Sequence, residues 1–230
     1  MKKDSIGNRM KKNYEDRQRF YLTRRTPVIL RLDGKAFHTF TKGLEKPFDS
    51  TLHDRMVETT EFLMTQIQGA KFAYTQSDEI SILVTDYDYF ETDAWFDYNI
   101  QKLTSVSASL ATGFFNRNSP FEKIGFFDCR AFNIPKEEVM NYFLWRFQDW
   151  KRNSVQLLGQ SLFSHRELHK KNQQEIIDMC LEKGKSWYTL PEVWRYGTCV
   201  KGDGTSRNLN LDRKELRESI EKNFVFTGEQ

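Results

Sequence analysis

No apolar run in these 230 residues approaches the roughly 18 to 20 that a membrane-spanning helix requires. The mean hydropathy of -0.69 agrees, so no membrane association is expected. The opening Met1-Lys2-Lys3-Asp4 is not followed by an apolar signal segment, which makes the cytoplasm the expected location. The three cysteines, Cys129, Cys180 and Cys199, are too scattered for a disulfide framework or for zinc spacing, and read as reduced and structural. Neither a Gly-x-x-x-x-Gly-Lys-Ser/Thr loop nor a Gly-x-Gly-x-x-Gly run occurs, so phosphate cradling by a Walker or dinucleotide loop is unsupported. His165 and His169 stand four apart, but the Glu of a His-Glu-x-x-His motif is misplaced and no third ligand follows, which argues against zinc.

What is present is a chain long enough for one substantial core, without repeats or a Pro/Gly-rich linker. The net charge is only +3, but residues 1 to 25 hold nine Lys or Arg against three acids. Such a segment suits a polyanion or forms a solvated helix face.

Residues 8 to 21, with Met10, Tyr14, Phe20 and Tyr21 among charges, predict an amphipathic helix. Pro27 to Leu32 is a short branched apolar run that predicts a buried strand, leaving Asp33 at its carboxyl end. Asp49 or Ser50 can cap a helix carrying Leu52, Met56, Leu63 and Ile67, with Gly69 closing it. Phe72 to Gln76 and Ile80 to Thr85 predict a hairpin tipped by Ser77-Asp78-Glu79. Ile100, Leu103, Leu110 and Phe114 mark a helix, Phe126 to Ile134 a strand, and Val139, Phe143, Phe147 and Trp150 a further helix after Pro135. The order β-α-β-β-α-β is ferredoxin-like: an α+β fold, with an antiparallel sheet and two helices on one face. Beyond it, a helix near 166 to 183 and a hairpin of Val193 to Val200 with Arg207 to Leu211, around Lys201-Gly202-Asp203-Gly204, are expected. Residues 1–160 are read as the main domain and 161–230 as an extension packed on it.

This order can bring Asp33 and Asp78 to one sheet end. Two or three converging carboxylates suit Mg²⁺, which binds through one or two protein carboxylates plus substrate phosphates. Two such ions about 3.5 to 4 Å apart can serve phosphoryl-type transfer. Gly34, lacking Cβ, would let a metal or triphosphate approach the backbone. On spacing alone, Asp33-Gly34 as a plain turn and Asp78 as a plain hairpin tip stay open.

Five blocks in order carry a resemblance: Arg31-Leu32-Asp33-Gly34-Lys35-Ala36-Phe37-His38-Thr39-Phe40, Lys46-Pro47-Phe48-Asp49, Tyr74-Thr75-Gln76-Ser77-Asp78-Glu79-Ile80-Ser81, Phe127-Asp128-Cys129-Arg130, and Tyr142 to Asp149. Together they resemble the tRNA-His guanylyltransferase superfamily, from about residue 5 to 160. The resemblance implies a polymerase-palm fold, usually tetrameric, that adds nucleotides to the 5′ end of tRNA. It implies activation of a 5′-phosphate by a nucleoside triphosphate, ATP or GTP, then attack by the 3′-hydroxyl of an incoming nucleotide with release of AMP. A 5′-triphosphate end would release pyrophosphate directly.

Carried over by matching motif, the resemblance implies Asp33, Asp78 and the Gly34 carbonyl as magnesium ligands, with Glu79 in the catalytic site without direct ligation. Arg31, Lys35, Ala36, Phe37 and His38 would border the nucleotide. Lys46, Lys102 and Arg130 would hold triphosphate or the RNA 5′-phosphate. Ser77 and Ser105 are either hydroxyl contacts there or ordinary turn and packing serines. Eukaryotic members carry His-Ile-Asn-Asn after the Asp that matches Asp149, whereas this chain reads Trp150-Lys151-Arg152-Asn153-Ser154. It therefore resembles the bacterial and archaeal-type branch, for which template-directed 5′-end repair of tRNA is implied. Arg146, Asp149 and Asn153 share a helix face opposite the apolar stripe and, with Lys151 and Arg152, are candidates for RNA contact or for a solvated face. Guanosine addition to tRNA-His, a palm-type nucleotidyl cyclase and a non-catalytic tRNA-binding protein are the competing functions.

Overall fold

The computed structural model describes residues 5–202, 206–207 and 218. Its elements are α1 (Ser5–Met10), β1 (Val28–Gly34), α2 (Phe37–Phe40), α3 (Ser50–Gln66), β2 (Ala70–Gln76), β3 (Glu79–Val84), α4 (Ile100–Asn116), β4 (Phe127–Asn133), α5 (Lys136–Leu162), α6 (His165–Leu168), α7 (Gln173–Glu182), α8 (Glu192–Tyr196), β5 (Thr198–Lys201) and β6 (Ser206–Arg207). The strands form one sheet in the order β4-β1-β3-β2-β5-β6, with every neighbouring pair antiparallel. The first four strands follow the expected ferredoxin-like path, and the fold is α+β.

Both faces of the sheet are covered, and strand periodicity assigns the residues. Val28, Leu30 and Leu32 of β1 and Ile80, Ile82 and Val84 of β3 point into a core shared with α3 and α4. Ile29, Leu83, Phe72 and Tyr74 point the other way, against Val139, Tyr142 and Phe143 of α5. A strand buried on both faces carries no alternation, which is why Pro27 to Leu32 reads as an unbroken apolar run. The two helices on one face are thus α3 and α4, and the opposite face is half closed by α5. Beyond the sheet, α5 continues to Leu162 and packs Val155 and Leu158 against Leu168, Ile176 and Trp187.

Three expectations need correction. The N-terminal helical segment runs over residues 5–18 with a wide turn at Lys11–Glu15, and Phe20 and Tyr21 lie outside it. Its apolar side chains Ile6, Met10 and Tyr14 are exposed. The single helix near 166 to 183 is two, because Ser164 with Glu167 and Asn172 with Glu175 each close a capping box. Val193 to Tyr196 is helical: Pro191 precedes a helix start, and Gly197 ends the turn at φ 74. A Cβ on Gly197 would lie 2.6 Å from the Tyr74 hydroxyl, which itself donates to the Tyr196 carbonyl. Only Thr198–Lys201 is strand, and it joins the sheet beside β2. Asp203-Gly204 and Asn208 to Leu211 of the expected hairpin, like Met1 to Asp4, lie outside the described residues.

Phe115 is fully buried and meets Phe37, Phe40, Phe121 and Phe127 at ring separations of 5.3 to 5.9 Å. Phe115→Ala is expected to cost about 3 to 5 kcal/mol in urea unfolding. A loss below about 1 kcal/mol would contradict this core assignment.

Candidate active site

Antiparallel register aligns Asp128, Asp33, Glu79 and Gln76 across β4, β1, β3 and β2, all on the α5 side of the sheet. Asp78 stands at the tip of the β2-β3 turn. Its carbonyl accepts from the Gly34 amide at 3.0 Å, tying the tip to the end of β1. A recess at this end is lined by Asp33, Ser77, Asp78 and Glu79 from the strands and by Arg146, Asp149 and Asn153 from α5.

Charge pairing separates these acids into two groups. Glu79 is buried, and both its oxygens are occupied: Arg146 donates from Nε to Oε1 and from Nη2 to Oε2, each at 2.7 Å, and Arg31 adds Nη2 to Oε2 at 2.8 Å. Asp149 lies between Arg146 at 3.0 Å and Arg152 at 2.6 Å. At the far end of the sheet, buried Asp86 is held by Arg24 and by the Arg25 amide. Asp33 and Asp78 have no ion pair among the described residues; the Asp78 carboxylate accepts from the neighbouring Ser77 hydroxyl at 3.0 Å and from its own backbone amide. Burial is the main reason that the Asp78 carboxyl is pushed up to about 6, and the Asp33 charge adds to it. Two adjacent carboxylates partly withdrawn from water and without a cation form a site that a hard divalent ion would relieve. Among the described residues no group of three or more His, Cys, Asp and Glu side chains is arranged to hold a metal ion.

The other expected site residues divide. Lys46 is exposed beside the recess formed by residues 41–49, where Phe48 stacks on Trp194 at 5.1 Å. That recess adjoins the carboxylates, sharing Gln76, Ser77, Trp150, Leu157 and Gln160 with them. Arg130 is the register partner of Arg31 and is exposed on the same face. Lys35, Ala36 and His38 are exposed just past β1, with Ala36 left-handed at φ 55.

Several readings are corrected. Phe37 is 3% exposed within the core, so its ring cannot meet a nucleotide. Gly34 lacks a side chain for packing, since a Cβ would lie 2.3 Å from the Phe37 ring; the void is on the core side, away from the acids. Arg31 and Arg146 are spent on Glu79 and are not free phosphate or RNA contacts. Arg146 is 3% exposed: the helix face expected to look outward turns onto the sheet end, because Arg31 and Glu79 interrupt the apolar surface there. Lys102 and Ser105 line a different recess, with Arg19, Tyr21 and Phe96. They lie at the opposite sheet end, since Thr112, near the other end of α4, contacts Phe127 and hence the Gly34 end of β1. Lys151, Arg152 and Asn153 are exposed on α5. Unforeseen members are Asp128, which alternation along β4 places beside Asp33, and the Phe48, Trp150 and Trp194 recess, which gathers side chains remote in sequence.

Residues 7–135 match the family model for tRNAHis guanylyltransferase. A bacterial tRNA(His) guanylyltransferase-like protein solved with ATP is 42% identical and superposes with a TM-score of 0.90, covering 95% of this chain and 99% of that one. A second such bacterial structure, solved with GTP, is 38% identical with a TM-score of 0.79, covering 96% and 99%. The tRNA(His) guanylyltransferase of Schizosaccharomyces pombe is 31% identical over 153 residues, 63% of this chain, which spans 56% of that protein's length.

The unpaired state of Asp78 has a measurable cost. Its folded carboxyl titrates near 6 against 3.8 unpaired, so the penalty is absent below about pH 4, grows as pH rises, and is complete above about pH 6. Its size is at most about 3 kcal/mol. In EDTA, Asp78→Asn is expected to raise stability at pH 8 by about 1 to 3 kcal/mol and to leave it unchanged near pH 3.5. Equal unfolding curves for the two proteins at pH 8 would show that the carboxylate carries no such penalty.

Proposed function

The chain belongs to the tRNAHis guanylyltransferase family of nucleotidyltransferases, and from that membership we propose that it repairs tRNA by adding nucleotides to the 5′ end in the 3′–5′ direction, the opposing base choosing each one. The observation that carries the chemical part is the contrast in pairing. Every other carboxylate discussed at the sheet ends except exposed Asp128 has its cation built in, while Asp33 and Asp78 face one recess without one.

Their donor set fits magnesium: one carboxylate at the end of β1 and one at the β2-β3 turn, unpaired and partly desolvated, with the Gly34 carbonyl as a further ligand. Magnesium held there would offset phosphate charge on the attacking and leaving sides of the transfer. The chain's own groups then divide the work. Asp33 and Asp78 would hold the metal, which would supply positive charge beside the triphosphate. Ser77, at the hairpin tip, and Lys46, across the adjoining recess, face the same space and supply a hydroxyl and a point charge for phosphate oxygens. The Phe48 and Trp194 stack and Trp150 offer apolar faces to a base from ATP, GTP or another nucleoside triphosphate. Asn153, Lys151 and Arg152, on the open side of α5, and Arg130, on the sheet edge, are placed for the RNA. Activation of the 5′-phosphate releases pyrophosphate from the activating triphosphate, and attack by the incoming 3′-hydroxyl then releases AMP.

Templated repair is preferred over obligatory guanosine addition to tRNA-His for two reasons. The likeness to the bacterial guanylyltransferase-like structures is higher and spans nearly their whole length, and Trp150 to Ser154 stand where eukaryotic members carry His-Ile-Asn-Asn. A cytoplasmic location and a homotetramer complete the proposal. No helix among the described residues is long and apolar enough to cross a membrane, and exposed Ile6, Met10 and Tyr14 on the N-terminal segment supply apolar surface for assembly.

A tRNA lacking its first nucleotide, offered each labelled triphosphate in turn, should gain the nucleotide complementary to the opposing base. Asp33→Ala and Asp78→Ala should reduce incorporation at least 10³-fold, on the order of 4 kcal/mol in the barrier, while RNA binding persists. Guanosine incorporation whatever base lies opposite would overturn templated repair; near-normal magnesium-dependent incorporation by either variant would overturn the site.

A further inference from the structure

The buried contact between α5 and the hairpin has no role in the chemistry described above. Arg146 grips Glu79 with both arms of its guanidinium, at 2.7 Å each, in a pair whose side chains are only 4% and 6% exposed. Arg31 holds the same carboxylate at 2.8 Å, and Trp145 stacks on the Arg146 guanidinium at 4.4 Å. Glu79 lies one residue from Asp78 and is the direct register partner of Asp33.

We propose that Arg146 is a positioning residue: by clamping Glu79 it fixes the hairpin tip so that Asp78 meets Asp33, and it keeps the Glu79 carboxylate out of the metal's coordination shell. The inference rests on the reading of Asp33 and Asp78 as metal ligands. Three observations carry it. The turn residues Ser77 and Asp78 project beyond the last paired residues of β2 and β3, Gln76 and Glu79. Beyond that pairing, the tip is anchored by the Gly34 to Asp78 main-chain bond from β1 and, through Glu79, by Arg146 from α5. Finally, Glu79 and Asp33 are direct register partners with side chains on one face. A Glu79 carboxylate released from its guanidinium would therefore add a third negative charge beside the pair and would be free to turn onto the metal. A bidentate fork fixes the carboxylate plane, which a lysine ammonium cannot do.

The test is Mn²⁺ binding to the full chain without substrate, followed by electron paramagnetic resonance, with a thermal melt on each variant. R146K retains the neutralising charge and loses the fork; it is expected to fold and to bind Mn²⁺ at least tenfold more weakly. R146Q/E79Q removes both charges, so no carboxylate is orphaned in the interior, and it serves should R146K not fold; it too is expected to bind at least tenfold more weakly. Binding within twofold of the parent by whichever of these variants is folded would overturn the proposal and leave Arg146 a stabilising contact only. If the parent binds Mn²⁺ no better than Asp78→Ala does, the metal reading itself fails and this inference falls with it.

Discussion

Like charges held close together in a partly dry place govern this molecule. Asp33 and Asp78 sit where the sheet ends, near enough for the Asp33 charge to add to the burial that raises the Asp78 carboxyl. Elsewhere the fold treats such groups differently: Asp86 is fully buried but held by Arg24 and the Arg25 amide, and Glu79 by two guanidiniums. A buried carboxylate stripped of its partner costs about 3 to 5 kcal/mol. The contrast between Asp86 and Glu79, which have Arg24, Arg31 and Arg146 as partners, and the unpaired Asp33 and Asp78 is what supports the proposed cation site.

The register of the sheet makes that arrangement possible. Because strand side chains alternate, the pairing of Asp33 with both Glu79 and Asp128 puts three acids in one row on one face. The next row carries Arg130, Arg31, Ser81 and Tyr74, and the one after it Phe132, Ile29, Leu83 and Phe72. The α5 face thus grades from apolar to basic to acidic over three registers. The helix follows the same gradient: Val139 and Phe143 meet the apolar row, and Arg146 reaches the acidic one. A slip of one residue in β1 would turn Asp33 into the α3 and α4 core and destroy both the site and the packing at once.

Much of this was readable in advance, for physical reasons that can be named. The β-α-β-β-α-β order followed from period and turn signals, and the meeting of Asp33 with Asp78 followed from that order. Helix α3 announced itself through Asp49, whose carboxylate does accept from the Leu52 amide at 2.9 Å. The misreadings came from tertiary context. Arg146 looks like a solvent residue until Glu79 is placed beneath it. Gly34 looks like room for a ligand until the Phe37 ring fills that side. Lys102 shares a family motif but stands at the wrong end of α4 for the carboxylates of its own chain. Phe96, Asp97 and Tyr98 adopt three successive positive φ values with no glycine to signal them. The capping boxes at Ser164 and Asn172, by contrast, were legible and would have split the C-terminal helix correctly.

The placement of α5 links these points to the choice of nucleotide. Its first half is fixed by the sheet, its middle is bound to Glu79, and its second half lines the aromatic recess through Trp150, Leu157 and Gln160. One 27-residue helix therefore sets the distance between the carboxylates and the base-sized recess beside them. The recess pairs the ring faces of Phe48, Trp150 and Trp194 with polar side chains that include Gln76, Ser77, Gln160 and Ser161, while the Asp49 carboxylate is occupied by the Leu52 and Glu45 amides. Ring faces accept any base by stacking. A stacking recess held at a fixed distance from the carboxylates fits the templated reading proposed above, in which pairing chooses the nucleotide and the protein supplies phosphate contacts and a rigid frame.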